Sequence, residues 1–300
     1  ISKSKVYYEN VGSELTKPLR SFHNQIKSIL ISGSNKHRKT GQLLDLSAGR
    51  GGDLDKWIRA GYTKVLGVDI DRTGIEASIQ NDDNYDGAKV RLSKHPKGTT
   101  VNIEFIVADT SKNIRTLNGV EEDYKETLNN FWKTTPLHSF HTISSQFSIH
   151  YYFNQLKNIE SLLKNVTENI KKGGYFIVTC LDGDLVYNKL SAAQKTNTLP
   201  ISGSVSNKKM WSINKTDDTQ LDYPKLPDTI EDGFNNPISV EFESIGTAKT
   251  EYLVSSTLFI NIASKHGLKI ISKKEASNHF KHIHYGTGLF SDILQNNPIH

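Results

Sequence analysis

Leu43-Leu44-Asp45-Leu46-Ser47-Ala48-Gly49-Arg50-Gly51-Gly52-Asp53 decides how this chain folds. A short apolar run ends in a turn of small residues and then opens into a helical pattern. A strand–loop–helix unit of this kind brings bare backbone N–H groups up to a ligand. Gly49, Gly51 and Gly52 carry no Cβ, so a cofactor can lie against the main chain. Asp69 closes the next apolar run, Val65-Leu66-Gly67-Val68, about 20 residues past the turn, where a carboxylate can accept from a ribose diol. The pair reads as a nucleoside-cofactor site. Ser47-x-Gly49-x-x-Gly52 is a dinucleotide fingerprint whose first glycine is serine. The other frame puts Leu54 at the last glycine, so a nicotinamide cofactor fits poorly. A ligand-free glycine turn is the alternative for the loop, and a surface carboxylate the alternative for Asp69.

The wider chain sets bounds on this site. With 300 residues and 36% hydrophobic content it can fill a proper core in one large or two small domains. Thirty-seven Lys and Arg against 32 Asp and Glu give a formal net charge of +5, which permits an anionic partner such as RNA. A single cysteine excludes a disulfide scaffold and a Cys-rich zinc site. No apolar run approaches the roughly 18 residues of a membrane span, and no signal-peptide pattern opens the chain. A reducing, intracellular setting is the expectation.

Residues 1–20 are polar and irregular, and Leu19, Phe22, Ile26, Ile29 and Leu30 then recur at helical spacing over Leu19 to Ile31. Alternating units follow. Strands are expected at Gln42–Leu46, Lys64–Ile70, Val101–Ala108, His141–Ser145 and Tyr175–Leu181. Helices are expected at about 53–60, 73–80 and 156–170, the last ended by Gly173-Gly174. Asp82–Thr100 reads as a polar insertion carrying Lys89, Arg91, Lys94 and Lys97. The repeated β-α order argues for a parallel sheet covered by helices. Beyond Leu181 the rhythm changes. Ser191–Thr219 is rich in Ser, Asn, Lys and Thr. Alternating runs at 238–245 and 250–256, a helix at 257–266 and a strand at 268–272 come next. This later third reads as elements added to the same sheet.

Other residues gather on the ligand side. Asp109 follows the third strand and can accept from an adenine amine, or can cap the next helix. Gln146-Phe147-Ser148-Ile149-His150-Tyr151-Tyr152-Phe153 follows the fourth, an aromatic loop suited to a flat, polar-edged base, though such a run is more often core. His279, His282 and His284 lack acidic or cysteine partners for a metal. Cys180 reads as core. The chain has neither a Walker A loop nor a Ser-centred nucleophile elbow.

These pieces together resemble the mRNA cap guanine-N7 methyltransferase family, in order and through most of the chain. Leu19 to Ile31 looks like the family's N-terminal helix, with its paired asparagines falling at His23 and Asn24 and its cofactor-contacting lysine at Lys27. Asp45 to Trp57 resembles the family's cofactor loop, with Ser47, Ala48 and Arg50 replacing Gly, Cys and Lys. The Gly-Gly-Asp continuation and Lys56-Trp57 are kept. Gln146-Phe147-x-x-His150-Tyr151 is similar to the family's cap pocket. Glu251-Tyr252-Leu253-Val254 looks like the segment whose glutamate reads the guanine edge. Tyr285 matches the late aromatic that closes over the cap. Thr179-Cys180-Leu181-Asp182 departs from the family's Thr-Thr-Pro-Asn. The Ile1 start and divergent sequence resemble the methyltransferase part of multifunctional capping enzymes of large DNA viruses.

The resemblance implies an α/β fold of the class I, Rossmann-like methyltransferase kind, with a mostly parallel sheet, helices on both faces and cap-pocket insertions. It implies one methyltransferase domain over residues 1–300: an extension and helix at 1–40, a cofactor core at 41–181 and cap-pocket elements at 182–300. The implied reaction carries the methyl of S-adenosylmethionine to guanine N7 of capped RNA, with no acid or base residue and no metal. Implied cofactor residues are Lys27, Asp45, Ser47, Gly49, Asp69, Ile70, Asp109, Thr110, Gln146 and Tyr151. Implied cap residues are His23, Asn24, Arg50, Lys56, Phe147, His150, Tyr151, Glu251 and Tyr285, with Arg50, Lys56 and His23 on the triphosphate. Implied partners are the GpppN end of RNA and triphosphatase and guanylyltransferase domains in the same polypeptide, with no membrane. The implied location is the cytoplasm of an infected cell or a virion for a viral protein, and the nucleus for a cellular one. Two other readings stay open: a methyltransferase for a small molecule or protein, and a cap-binding module without turnover.

Overall fold

Strands buried on both faces carry apolar stretches, as several strands do in the five-stranded central sheet of the computed structural model, which describes residues 14–38, 40–77, 86–216 and 230–296. The five are β1 (Gly41–Asp45), β2 (Tyr62–Asp69), β3 (Asn102–Val107), β4 (Phe140–Gln146) and β5 (Ile170–Thr179). All four pairings are parallel, in the order β3-β2-β1-β4-β5. Helices α1 (Lys17–Ser34), α2 (Leu54–Arg59), α3 (Arg72–Glu76), α4 (Ala88–Lys94), α5 (Glu122–Lys133) and α6 (Leu156–Asn169) accompany it. The chain steps outward from β1 to β3, then returns past β1 to β4 and β5. Right-handed crossovers therefore put the helices after β1 and β2 on one face and α5 and α6 on the other. The order reverses between β1 and β4, and a crevice opens there at the carboxyl ends of the strands. Tyr62 fastens α1 to this sheet: its buried hydroxyl lies 3.0 Å from Ser34 Oγ and 2.7 Å from Thr142 Oγ1.

The sequence-based elements fall on these strands within a few residues, with four differences. The pair Gly173-Gly174 lies inside β5 and does not end α6, which stops at Asn169. A Cβ on Gly174 would sit 2.8 Å from the carbonyl oxygens of His141 and Lys171, and the register slips between Phe140 and Thr142. Glycine is what this bulge accommodates. The 82–100 insertion contains a helix, α4, in its described part. Leu268–Ser272 pairs with no strand among the described residues; Ser272 instead caps α9 (Lys273–His279) through a 3.2 Å bond from Glu275 N–H. Readings on residues 1–13, 39, 78–85, 217–229 and 297–300 lie outside the described residues.

The fourth difference is the largest. The elements after Leu181 do not extend the parallel sheet. After α7 (Gly183–Lys195), strands β6 (Ile201–Val205), β7 (Lys208–Lys215), β8 (Pro237–Phe242) and β9 (Lys249–Tyr252) form a separate antiparallel sheet in that order. It has its own apolar cluster, Val186 and Leu190 of α7 against Ile213, Ile238, Val240 and Leu253. Ser206 and Asn207 both have positive φ, 49° and 62°, the two-residue turn that matches strand twist and closes the β6–β7 hairpin. Gly183 joins the sheets. Its N–H donates to Val254 O at 3.0 Å, and a Cβ there would lie 2.5 Å from the same oxygen. Helices α8 (Ser256–Lys265) and α10 (Phe290–Asn296) complete the described chain. No helix among the described residues is long and apolar enough to cross a membrane.

Candidate functional site

The glycine loop has two faces. Gly51 packs down on Ala88 and Phe105, whereas a Cβ on Gly49 or Gly52 would meet nothing within 4 Å. Open space over bare backbone is what a ligand needs to approach. Gly49 has φ of 50° and donates its N–H to Asp69 Oδ2 at 2.7 Å; Asp71 N–H donates to Oδ1 at 2.9 Å. Asp69 thus shapes the loop from the end of β2. Burial raises its carboxyl above the ordinary range, against those two bonds. Ile70 is 68% exposed at the lip. Asp109 accepts from Ser111 N–H at 3.0 Å and from Ser111 Oγ at 2.6 Å, so it ends β3 in a turn of its own. Thr110 is buried, donating to Leu46 O at 3.1 Å and bonded to the Tyr152 hydroxyl, so it supports the crevice from below. Asn165 holds this turn by donating to the carbonyls of Thr110 and Lys112, at 2.9 and 2.7 Å.

Charges converge under the loop. Asp45 ends β1 fully buried and accepts from Ser47 N–H at 2.9 Å. Burial, then the charge of Asp53, pushes its carboxyl up to about 7. The ammonium groups of Lys27 and Lys56 both lie 2.8 Å from Asp53 Oδ1. Burial opposes ionisation of Asp53, but the two lysines hold its carboxyl below the usual range. Ser47 Oγ accepts from Gln146 N–H at 3.2 Å. The Gln146 amide itself turns into the sheet, toward Ser144 Oγ, Ile177 O and Thr179 Oγ1.

Beside the crevice lies a cleft of about 2000 Å³, reached by His23, Asn24, Lys27, Phe147, His150, Glu251 and Tyr285. Phe147 has φ of 54°, a left-handed conformation that a bulky residue adopts only under constraint from its surroundings. Its N–H donates to Thr179 O at 2.9 Å, and its ring lies 4.6 Å from that of His23. His150 and Glu251 are both buried, Nε2 3.6 Å from Oε2. Burial lowers His150 to about 3 and raises Glu251 to about 7. Both ring nitrogens of His150 lack a hydrogen-bond partner among the described residues. The Tyr151 ring lies 4.2 Å from that of His150, tilted 60° to it, and is exposed. Tyr285 stands at the rim with Lys273 Nζ 4.7 Å from its ring centroid.

The three residues expected on a triphosphate are not brought together as free cations. Arg50 is buried and donates to Asp86 O at 3.0 Å, away from the cleft. Lys56 is tied to Asp53 and donates to Gly52 O at 3.0 Å. His23 does line the cleft, but burial and then the nearby Lys27 charge lower it to about 4, so it is neutral. Cys180 is half-buried at the cleft wall just past β5, where burial pushes its thiol up to about 12. Sequence reading overlooked Asp53 as the anchor of both lysines, the bond between the Tyr152 hydroxyl and Thr110, and Phe290. Phe290 lies 5.9 Å from His23 and 6.0 Å from Phe147. The Asp three residues before Lys56 was a legible ion-pair signal; the reach of Phe290 across the fold was not.

A glycine loop and strand-end carboxylates at the switch point of a parallel sheet define a class I methyltransferase fold. The chain belongs to the family described as the mRNA (guanine-N(7))-methyltransferase domain, matched over residues 5–291. It is 29% identical over 90% of its length to a protein of Acanthamoeba polyphaga mimivirus named "Probable mRNA-capping enzyme", covering 22% of that protein. It is 26% identical over 96% of its length to the mRNA cap guanine-N(7) methyltransferase of Drosophila melanogaster, covering 59% of it. For the enzyme of the same name from Saccharomyces cerevisiae the figures are 24%, 87% and 53%. The chain therefore spans from about a fifth to three fifths of these curated relatives.

Proposed function

We propose that this chain methylates N7 of the guanine that caps RNA, using S-adenosylmethionine. The observation that carries the reading is the buried His150–Glu251 pair, with both imidazole nitrogens unpartnered among the described residues, in a cleft beside the glycine loop. Buried polar groups without partners are rare and point to a ligand.

The crevice fits the cofactor. The open faces of Gly49 and Gly52 can receive its backbone-hugging portion, Asp69 its ribose, Asp109 its adenine amine and Lys27 its carboxylate. When bound, S-adenosylmethionine supplies an electrophilic methyl on sulfonium sulfur. Guanine N7 has an in-plane lone pair, so the chain has no proton to remove. Its residues act by holding and excluding. Phe147 and Tyr151 can stack the base, and Tyr285 can close over it. Glu251 as carboxylate accepts from guanine N1–H and the N2 amine. Methylation leaves guanine cationic, and the same carboxylate, shielded from water, favours that charge. Orientation supplies much of the remaining rate.

The three stretches 1–40, 41–181 and 182–300 act as one domain in this reading. Capped RNA is the substrate, and triphosphatase and guanylyltransferase domains in the same polypeptide are the proposed partners, supported by the much longer mimivirus relative. A reducing compartment where transcripts are made suits the reaction. The test is incubation with labelled S-adenosylmethionine and GpppA-capped RNA, then nuclease digestion. Label in 7-methylguanosine supports the reading. Transfer to a small molecule without RNA, or cap binding without turnover, defeats it.

A further inference from the structure

The cleft is far larger than one guanine needs, and its second arm follows the antiparallel sheet. Directly paired residues on antiparallel strands share a face. Glu251 pairs with Ile238, Ile238 with Lys215, and Trp211 with Phe242. Stepping by two along β7 and β8 therefore puts Glu251, Phe242 and Trp211 on one face of the sheet. Four residues along the strand and one or two strands across separate Glu251 from these aromatics by about 14–16 Å. An extended triphosphate flanked by two riboses spans such a gap.

The wall above this arm is equally regular. Leu185, Val186 and Lys189 of α7 line the cleft at helical spacing, and Trp211 and Phe242 line it from the strands, partly buried at the margin of the second apolar cluster. Leu185 is 44% exposed there, an apolar side chain turned to the opening. Trp211 is seated by a glycine. A Cβ on Gly203 would fall 2.3 Å from Trp211 Nε1 and 2.6 Å from Cε2, so the indole lies against bare β6 backbone. It is only partly buried, and it reaches the cleft.

We infer that Trp211 and Phe242 form a stacking subsite for the nucleoside joined to the capping guanosine through the triphosphate, with Leu185 as its lid and Lys189 beside the phosphates. The inference rests on the cap-methylation reading and adds a second point of contact to it. Stacking on an aromatic is tolerant of base identity, so the subsite accepts the first transcribed nucleoside whichever base it carries.

GTP and the dinucleotide GpppA separate the two sites, because only GpppA carries the second nucleoside. Affinity by calorimetry and KM for methyl transfer are measured for both on the whole chain. The unmodified protein should prefer GpppA. Trp211→Ala should weaken GpppA by about tenfold, the scale of one lost base–aromatic stack, and leave GTP unchanged. Trp211→Phe should recover most of the loss. An equal effect on GTP and GpppA, or no effect on either, overturns the subsite while leaving methylation standing. Failure of the unmodified protein to methylate either acceptor overturns both. Should the alanine variant not fold, Phe242→Leu must show the same selective loss of GpppA.

Discussion

Replacing Asp45 by Asn should stabilise this protein, and increasingly so as pH rises. Asp45 is fully buried at the end of β1, beside the ionised Asp53, and its carboxyl is raised from 3.8 to about 7. Below pH 3.8 the group is protonated in both folded and unfolded chains, and it costs nothing. Between 3.8 and 7 the unfolded chain releases the proton and the folded chain keeps it. Each pH unit in that window therefore lowers the folding constant up to about tenfold. Above about 7 both states are ionised and the penalty levels at about 4 kcal/mol. Asparagine keeps the acceptor for Ser47 N–H and removes the ionisation. The gain at pH 8 should reach about 2–4 kcal/mol once the weaker neutral bond is allowed for. That raises Tm by several degrees, at about 2–4 °C per kcal/mol for a chain of this class. Melting followed by circular dichroism from pH 4 to 9, without cofactor, gives the comparison. A Tm difference that does not grow with pH, or Asp45→Asn melting lower at pH 8, refutes the reasoning.

Asp69→Ala should weaken S-adenosylmethionine binding tenfold or more in calorimetry, since a charge-assisted bond is worth about 1.5–3 kcal/mol; unchanged affinity removes Asp69 from the site. Glu251 sits near 7 in the free protein, so cap affinity should rise between pH 6 and 8 as the accepting carboxylate forms. Glu251→Gln should flatten that profile and leave cofactor affinity intact, and a retained slope assigns the titration elsewhere. Tyr62→Phe should cost about 1–3 kcal/mol in denaturant unfolding, because Ser34 and Thr142 lose their shared partner. A loss below a few tenths would show that the hydroxyl does not hold α1 to the sheet.

Legibility followed physical range. Strands β1, β2 and β3 could be read because each carries a buried apolar stretch bounded by polar turns, whereas β4 is buried but mostly polar and β5 alternates in burial. Helix α5 drew no expectation because its inward stripe is short, Tyr124, Leu128 and Phe131 in an otherwise polar segment. The second sheet was misread because β6 and β7 are Ser-, Lys- and Asn-rich, and Ser206-Asn207 is a weaker turn signal than Asn-Gly. Leu268–Ser272 has strand-like composition, and a cap at Ser272 won locally. The positions of Asp69 and Asp109 at the ends of β2 and β3 follow from chain order alone. The cationic roles of Arg50, Lys56 and His23 did not follow, because charge depends on neighbours. Asp53 is near in sequence, but Asp86 and the burial of His23 arise from the fold.

Gly183 makes heritable variation in this fold harder to read. The residue does not line the cleft, yet the space for a side chain there is already filled by the backbone of Val254, three residues past Glu251. A single codon change to alanine would press on the Val254 backbone and shift Glu251 with it, though no residue lining the cleft had been replaced. Under the proposed function, such an allele should keep cofactor binding and lose methyl transfer to capped RNA. A survey of sequence drift that scored only ligand-contacting positions would pass it as silent.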